Sequence, residues 1–540
     1  MRLFHPMISN GYVSCRPGGL KFRAGAPIWN WSMLARIFGA SLHGIDALKV
    51  AVEVDIASGL PELAMVGLPE GAVRESKVRV RAALRNCGYP FPPQRITVNL
   101  APADVRKEGS GYDLPMAMGI VAAQGAVQPS RLADYLLVGE LSLDGAVKPV
   151  RGALPIAAAV GRQGLKGLIL PRANSAEAAA VEDIEVFGVE SLAEVVEFLN
   201  GEREIAPTRV DLARLFRRHA VHDADFSDVR GQPHVKRALE VAAAGAHNVL
   251  LMGPPGSGKT MLAKRLATIL PDLTLAEALE TTKIHSVAGV LGNSALVAVR
   301  PFRAPHHTVS DAGMVGGGTV PRPGEVSLAH NGVLFLDEAP EFRRNVLEVL
   351  RQPLEDGRVT VVRAAGAIDY PAAFMLVAAM NPCPCGFFAD PQKECRCTPM
   401  QITRYRSRIS GPLLDRIDIQ VEVPAVAYEA LASRTPGEPS EVIRERVNRA
   451  RAVQGERFGQ PEIHANARMS ARDVQRYCRM DGAGEQLLET AIRKLGLSAR
   501  AYVRILKVAR TIADLAGSEE ILSPHIAEAI QYRSLDRPLV

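Results

Sequence analysis

Hydrophobic and polar residues alternate along two early segments, 49–56 and 95–100, as they do in half-buried β-strands. Between them, residues 72–86 show helical spacing with basic residues on one face. Shorter apolar runs that predict further strands lie at 136–139 and 167–170. We therefore predict that residues 33–200 form an α/β domain of their own.

The first 32 residues differ from this pattern. They are rich in glycine, proline and aromatic residues, and they lack the compact apolar stretch and small-residue cleavage site of a signal peptide. We interpret residues 1–32 as an extension that is disordered or that results from a start codon assigned too early, with Met33 as the true start.

The rest of the chain divides at a charged segment. Residues 201–225 carry Pro207 and two adjacent arginines and are predicted to be a linker. A second α/β unit is predicted at 226–423, and residues 424–540 are predicted to be mostly helical. The predicted helices cover 443–454, 471–478, 484–494 and 499–516, and a last helix begins at Ser523.

A glycine-rich loop follows the apolar run 247–252 and leads into a helical segment at 261–270. The loop reads Gly253-Pro254-Pro255-Gly256-Ser257-Gly258-Lys259-Thr260. This is the pattern of a P-loop, in which glycines let backbone N–H groups converge on phosphate oxygens at a helix N-terminus. We predict that Lys259 contacts the β- and γ-phosphates of ATP and that Thr260 ligates magnesium.

Two more apolar strands are predicted to end in polar residues that belong to the same site. The strand at 332–336 runs into Asp337 and Glu338. Asp337 is predicted to bind magnesium through its water shell, and Glu338 to act as the general base that polarises the attacking water. The strand at 374–380 ends at Asn381, which is predicted to contact the γ-phosphate or that water; the alternative is an ordinary turn cap.

Composition sets the class of protein and its surroundings. Of 540 residues, 47% are hydrophobic and 23% are charged, which is typical of a soluble globular protein. The net charge of +6 permits an anionic partner such as nucleic acid but does not by itself indicate one. No apolar run reaches the roughly 18–20 residues that span a bilayer, so no membrane partner is expected.

Seven cysteines are an odd number, which argues against a disulfide framework and favours a reducing, cytoplasmic compartment. Four of them form a C-x-C…C-x-C cluster just after Asn381. They are Cys383, Cys385, Cys395 and Cys397. Four thiolates suit tetrahedral zinc, although this spacing is tighter than the usual C-x₂-C. The alternative is a set of reduced thiols in a polar loop.

Longer motifs stand outside these strand tips. They are Val66-Gly67-Leu68-Pro69-Glu70, Arg74-Glu75-Ser76, Ile96-Thr97-Val98-Asn99-Leu100-Ala101-Pro102-Ala103-Asp104, Lys107-Glu108-Gly109-Ser110 with Asp113-Leu114-Pro115, Phe302-Arg303-Ala304-Pro305-His306-His307 and Leu413-Leu414-Asp415-Arg416-Ile417-Asp418. Together with the three strand tips, they resemble the magnesium chelatase-like ComM/YifB family of AAA+ ATPases. The resemblance extends from about Met33 to the C-terminus.

The resemblance implies an architecture and an assembly. It implies a Lon-protease-like N-terminal domain, an AAA+ P-loop α/β core and a C-terminal helical lid, joined in a hexameric ring with ATP sites at subunit boundaries. Arg416 falls at the position of the arginine finger, which stabilises charge on the neighbouring subunit's nucleotide; the alternative is a salt bridge with Asp415 or Asp418. Arg500 matches the second sensor of the lid, with Arg504 and Arg510 as neighbouring candidates.

The resemblance also implies a function. The expected protein is an ATP-driven DNA helicase that promotes branch migration in homologous recombination during natural transformation, with branched or single-stranded DNA as its partner. A β-hairpin predicted at 356–366 would bring Arg358 and Arg363 into the pore to contact DNA phosphates; the alternative is a solvated hairpin. His306 and His307 are expected to point to different sides of the backbone, which argues against a metal site there.

Three other functions compete with this expectation. A metal-chelatase motor subunit is disfavoured because that subunit lacks the Lon-like domain. An ATP-dependent protease is disfavoured because our approximate alignment places Gly111 and Leu154 where the Ser–Lys dyad would stand, and an apolar side chain cannot act as a base. An ATP-driven chaperone that remodels proteins stays open.

Overall fold

The computed structural model describes most of the chain. It covers residues 34–212, 224–292, 294–318, 321–363, 366–390, 393–426, 436–459 and 465–533. The extension predicted at 1–32 and residues 213–223 of the predicted linker lie outside the described residues. The chain divides into two compact units, Met1–Val210 and Asp211–Val540. In the described part of the chain, every helix is too short or too polar to cross a bilayer.

The N-terminal unit is built on a seven-stranded mixed sheet. The described strands of the whole unit are β1 (Leu34–His43), β2 (Asp46–Ala57), β3 (Glu62–Val66), β4 (Arg95–Ala101), β5 (Tyr135–Leu137), β6 (Glu140–Leu141), β7 (Val147–Lys148), β8 (Gly167–Pro171) and β9 (Glu185–Val189). The sheet order is β3-β4-β2-β1-β5-β8-β9, and β6 pairs with β7 separately. Strands β1, β2 and β4 pair antiparallel, whereas β3 and the β5–β8–β9 side pair parallel.

Helices cover this sheet. They are α1 (Gly71–Asn86), α2 (Asp113–Ala123), α3 (Pro129–Leu132), α4 (Ala153–Arg162), α5 (Arg172–Ala178) and α6 (Leu192–Asn200). The alternation of apolar and polar residues that predicted β2 matches the burial of its side chains, since Val50, Val52 and Val54 are fully buried. Helix α2 is apolar on all sides and is buried along almost its whole length.

The C-terminal unit contains a five-stranded sheet. The remaining strands are β10 (Val249–Met252), β11 (Phe302–Arg303), β12 (Gly316–Gly317), β13 (Arg322–Pro323), β14 (Val333–Leu336), β15 (Arg358–Arg363), β16 (Gly366–Pro371), β17 (Met375–Met380) and β18 (Ile419–Glu422). The order β11-β14-β17-β10-β18 is parallel throughout. The carboxyl ends of β10, β14 and β17 therefore meet at one edge, where open α/β sheets bind ligands.

The helices of this unit include the one predicted at 261–270 and the five predicted after residue 424, beside others that were not predicted. They are α7 (Pro233–Gly245), α8 (Lys259–Ile269), α9 (Leu275–Ala288), α10 (Asp311–Val315), α11 (Glu325–Leu328), α12 (Arg344–Glu348), α13 (Arg351–Asp356), α14 (Pro399–Arg406), α15 (Gly411–Leu414), α16 (Ser440–Phe458), α17 (Ala471–Tyr477), α18 (Gly482–Leu495), α19 (Ala499–Leu515) and α20 (Ser523–Gln531). Helices α16–α20 share one hydrophobic cluster with the sheet, in which Val249 and Leu262 pack with Ile505 and Ile526. The C-terminal helices are thus docked on the α/β core.

Residues 201–210 of the predicted linker pack on the N-terminal unit. Ile205 lies against the apolar core of that unit. The N–H of Thr208 donates a hydrogen bond to the carbonyl oxygen of Val186 at 2.7 Å. The compact N-terminal unit accordingly continues to residue 210.

Candidate functional site

The glycine-rich loop lies between the buried strand β10 and helix α8, which begins at Lys259. Gly256 and Gly258 adopt left-handed φ angles of 79° and 90°. At Gly253, a Cβ atom would lie 2.1 Å from the carbonyl oxygen of Val423, so only glycine fits. The strand–loop–helix arrangement is the one in which backbone N–H groups face an anion at a helix N-terminus.

Lys259 points back into this loop. Its Nζ donates to the carbonyl oxygens of Gly253 at 2.7 Å and Pro254 at 2.9 Å, and to Asn381 Oδ1 at 3.1 Å. Burial lowers the pKa of Lys259. All three acceptors are neutral, so the ammonium group is held at the loop with its charge available for an anionic ligand.

Asp337, at the end of β14, joins the loop to the neighbouring strand. Thr260 Oγ1 donates to Asp337 Oδ2 at 2.7 Å, and the backbone N–H of Glu338 donates to Asp337 Oδ1 at 3.1 Å. A hydroxyl and a carboxylate in contact next to a phosphate loop are hard oxygen ligands of the type that suits magnesium. The residues present therefore fit a magnesium ion.

Glu338 has an exposed side chain and a strained backbone. Its φ of 52° lies in the left-handed region, where a non-glycine residue costs on the order of 1–3 kcal/mol. A 3₁₀ turn, Ala339–Glu341, follows it, and the N–H of Glu341 donates to the Glu338 carbonyl at 2.8 Å. Strain of this kind concentrates at functional sites.

Asn381 follows β17 directly and reaches Lys259 across the sheet edge. Tyr405 on α14 forms a hydrogen bond with the Asn381 backbone, and burial raises the pKa of this tyrosine to about 12. Tyr405 was not singled out in the sequence, because a single tyrosine in a helix carries no motif. The predicted residues Lys259, Thr260, Asp337 and Asn381 thus come together at one edge.

Arg416 is largely buried against its own chain. Its side chain donates to the carbonyl oxygen of Arg351 at 3.2 Å and to that of Pro412 at 2.6 Å, and it forms an ion pair with Glu355. Its own carbonyl oxygen accepts from Asn248 Nδ2 at 2.8 Å. The alternative of a salt bridge with Asp415 or Asp418 is wrong, because Arg416 pairs with Glu355 while Asp415 pairs with Arg500 and Asp418 with Arg504.

The three arginines considered on helix α19 occupy different environments. Arg500 is exposed and contacts Asp415 at 3.2 Å. Arg504 forms an ion pair with the buried Asp418 at 2.5 Å. Arg510 is fully buried and is paired with Asp514 at 3.0 Å within its own helix, which fits a structural role.

A buried polar network connects the sheet to helix α19. His247 and Asp418 are both buried, and His247 Nδ1 lies 3.3 Å from Asp418 Oδ2. Thr511 Oγ1 lies 2.8 Å from His247 Nε2. Burial lowers the pKa of His247. Burial by itself would raise the pKa of Asp418, but attraction by Arg504 and the contact with His247 hold this pKa below its usual range.

Gln232, at the N-terminus of α7, is a second residue that sequence reasoning missed. It adopts a left-handed φ of 53° and donates from Nε2 to the Ser257 carbonyl at 3.0 Å and to the Pro424 carbonyl at 2.7 Å. Its Oε1 atom is buried without a hydrogen-bond partner among the described residues. Its only sequence signal was its place directly before Pro233, the first residue of a helix.

The four cysteines predicted as zinc ligands converge in space. Their Sγ atoms all lie within 4.8 Å of one another. We refer to Cys383, Cys385, Cys395 and Cys397 as the thiol cluster. Cys383 is fully buried, and the backbone N–H of Phe387 lowers the pKa of Cys385 to about 6.

The structure agrees only in part with the predictions for the hairpin at 356–366 and for the pair His306 and His307. The hairpin exists, with β15 paired antiparallel to β16, and its second strand extends to Pro371. Arg358 is exposed on β15, in which Arg363 also lies. The expectation that His306 and His307 point apart is wrong, because their ring centroids lie 4.1 Å apart.

At the two positions predicted to correspond to a protease dyad, the N-terminal unit holds a glycine and a buried apolar side chain. A Cβ atom on Gly111 would lie 3.0 Å from Val138 Cγ2. Leu154 is fully buried, and its N–H donates to Glu177 Oε1 at 2.9 Å.

Taken together, the parallel strand β10, the glycine loop, the helix that carries Lys259 and the polar strand tips define a P-loop-type α/β unit. Three family models match successive parts of the chain. "Subunit ChlI of Mg-chelatase" matches residues 52–174, "Magnesium chelatase, subunit ChlI" matches 225–431, and "Magnesium chelatase, subunit ChlI C-terminal" matches 437–533.

Whole-chain relatives narrow this assignment. Competence protein ComM of Haemophilus influenzae is 45% identical over 508 residues, which cover 94% of this chain and 98% of the relative. YifB of Salmonella typhimurium is 45% identical over 509 residues, with the same coverage. The 38 kDa magnesium-chelatase subunit of Rhodobacter capsulatus is 28% identical over 174 residues, 29% of this chain and 50% of the relative. The chain therefore belongs to the magnesium chelatase-like ComM/YifB family.

Proposed function

We propose that this protein is an ATP-hydrolysing motor that acts on DNA. The observation that carries the ATPase part is the meeting of Lys259, Asn381 and the Thr260–Asp337 pair at the carboxyl edge of one parallel sheet. Phosphate-binding and metal-binding groups at the same edge are what phosphoryl transfer to water requires.

Each residue has a distinct role in this proposal. Lys259 and the loop N–H groups bind the phosphates, and Thr260 and Asp337 hold magnesium, which neutralises charge on the phosphate oxygens when it is bound. Glu338 accepts a proton from the attacking water. Asn381 orients that water or the γ-phosphate through its amide.

The assembly in this proposal is a hexameric ring with the AAA+ arrangement. Arg416 completes the ATP site of the neighbouring subunit, and the C-terminal helices act as a lid through Arg500 or Arg504. Support for Arg416 comes from its motif and from its attachment, through Asn248, to the strand that precedes the phosphate loop. For this role, Arg416 must exchange its contact with Glu355 for the neighbour's phosphate.

The DNA part rests on kinship. The relative from Haemophilus influenzae is named a competence protein, and it is similar over 94% of this chain. We propose that the protein is a helicase that promotes branch migration of incoming DNA in homologous recombination, with the exposed Arg358 of the hairpin contacting phosphates. The N-terminal unit, proposed to be Lon-like, serves in binding or assembly.

The test is ATP hydrolysis and strand movement by the purified full-length chain. We expect turnover to rise with forked or four-way DNA, and we expect four-way junctions to migrate only when ATP is hydrolysed. Lys259→Ala is the matched control, since it removes the phosphate contact. ATP turnover indifferent to every DNA structure, but stimulated by unfolded protein, would favour the chaperone function; stimulation by a porphyrin and magnesium would favour a chelatase.

A further inference from the structure

The thiol cluster has the dimensions of a tetrahedral metal site. The Sγ atom of Cys383 lies 3.4 Å from that of Cys385 and 3.7 Å from that of Cys395, and the last two are 3.6 Å apart. Zinc–sulfur bonds of about 2.3 Å in a tetrahedron place the sulfur atoms about 3.8 Å apart. A disulfide would require about 2.05 Å. The sulfur atoms are therefore spaced as ligands and not as disulfide partners.

The ligand set selects the ion. Four thiolates are soft ligands, whereas magnesium and calcium require oxygen. Among the described residues, the group of side chains that could hold the ion consists of these four cysteines and includes no carboxylate or histidine. A closed set of four cysteines leaves no open position for a substrate, so the site is structural in type.

The loop that carries the cluster follows Asn381 directly and also contacts the phosphate loop. Asn381 stands two residues before Cys383. Gly386, which closes a turn onto the Cys383 carbonyl at 3.0 Å, packs against the phosphate loop. A Cβ atom on Gly386 would lie 2.4 Å from Cδ of Pro255, so the Gly386 backbone packs closely against the ring of Pro255.

We propose that the thiol cluster binds one zinc ion, and that this ion fixes the loop that positions Asn381 and Pro255 for ATP hydrolysis. The role of the ion in positioning Asn381 and Pro255 rests on the proposed ATPase function. The zinc ion takes no part in the reaction; it holds four points of a loop that otherwise has little regular structure between β17 and α14. Loss of the ion releases the loop and displaces Asn381.

The first test is the metal content of the full-length protein, measured by mass spectrometry after purification without added metal. We expect about one zinc per chain, and a loss of zinc in both Cys383→Ser and Cys397→Ser. Cys87→Ser is the matched control and keeps its zinc, because Cys87 lies in the N-terminal unit beside Asp144. Less than about a tenth of an equivalent of zinc, or iron in its place, would overturn the proposal.

The second test concerns position and uses wild-type protein, so it does not depend on the folding of a variant. A chelator removes the zinc and is itself then removed, magnesium is restored, and ATP turnover without DNA and the binding of a fluorescent ATP analogue are measured. We expect kcat to fall by up to about 100-fold, with a much smaller change in KM, and to return when zinc is added back. Unchanged kcat in zinc-free protein overturns the positioning role.

These readouts separate the inference from the proposed function. If the zinc-loaded protein hydrolyses no ATP, the proposed function fails while the zinc content still tests the site. If ATP turnover depends on zinc but not on DNA, only the DNA part fails. Cobalt bound in place of zinc should show the visible absorption of a tetrahedral thiolate complex, and an octahedral spectrum would contradict the four-cysteine site.

Discussion

Lys259 Nζ donates a hydrogen bond to Asn381 Oδ1 at 3.1 Å, although 122 residues separate the two in sequence. The contact joins the helix after the phosphate loop to the tip of β17. It places a neutral amide beside the ammonium group that we propose to bind phosphate. The role of this amide in ATP hydrolysis can be tested by substitution.

We expect Asn381→Ala to lower ATP turnover by about 100-fold while nucleotide binding is largely kept, because an oriented polar group is lost from the transition state. Asn381→Asp should in addition weaken ATP binding, since its carboxylate would pair with Lys259 and repel phosphate. Steady-state kinetics and nucleotide titration distinguish the two variants. Equal loss of binding in both would contradict an orienting role.

Glu338→Gln should bind ATP and hydrolyse it about 100- to 10,000-fold more slowly, because the amide cannot accept the proton of the attacking water. Nucleotide titration and phosphate release measure the two properties. The matched control is Glu341→Gln, which changes an exposed carboxylate three residues away that pairs with Arg408. Appreciable hydrolysis by Glu338→Gln would refute the base.

Arg416→Ala should lower turnover by about 1,000-fold, because an arginine that contacts the transferred phosphate supplies this much. If Arg416 acts on a neighbour, a mixture of Arg416→Ala and Lys259→Ala chains regains activity where an intact loop meets an intact arginine. Phosphate release is measured over a series of mixing ratios. No recovery at any ratio counts against a ring.

Arg358→Ala should weaken the binding of all DNA sequences about equally. It should also lower the slope of log affinity against log salt concentration by about one, the value of one phosphate contact. Fluorescence anisotropy at several salt concentrations measures both. Arg493→Ala is the control, since Arg493 is also an exposed arginine, on helix α18, where it pairs with Glu489. The same salt slope in wild type and Arg358→Ala would place the DNA elsewhere.

Stability should fall as pH falls below about 7, and His247 should account for part of the loss. Burial holds the folded pKa of His247 below its unfolded value, so the unfolded chain takes up the proton first. Lys507 and Arg504 oppose this protonation, and Asp418 favours it. Asp418 stays ionised in this range because its pKa is lowered, so its contribution is lost only at much lower pH.

The measurement is the thermal unfolding midpoint at about pH 7.5 and about pH 5.5. We expect a smaller difference between the two pH values in His247→Gln than in wild type. His234→Gln, which changes an exposed histidine of the same unit, should keep the full difference. An unchanged difference in His247→Gln would mean that this imidazole is protonated equally in both states.

The sequence predicted the loop and the strand tips well because a short buried parallel strand is a continuous apolar run, and its carboxyl end is marked by the first polar residue. Asp337 and Asn381 are of this kind. The hairpin was predicted too short because its second strand contains Asp369 and ends at Pro371, which weaken a strand pattern. The helices after residue 440 were found by their spacing, with boundaries off by up to a few residues.

The buried network could not be predicted in this way. His247 and Asp418 are 171 residues apart, and Thr511 is 264 residues from His247, so no local spacing relates them. In the sequence, each looks like an isolated, ordinary polar residue. Only the parallel pairing of β10 with β18 brings the first two together.

The hydrogen bond from Thr208 to Val186 has a consequence for solubility. Strand β9 is an edge of the seven-stranded sheet, and an edge offers unpaired backbone groups to any other strand. The chain leaving the N-terminal unit occupies one of those groups itself. The last residues of the N-terminal unit thus cover part of this edge and oppose edge-to-edge aggregation, and shortening the chain near Thr208 would expose it.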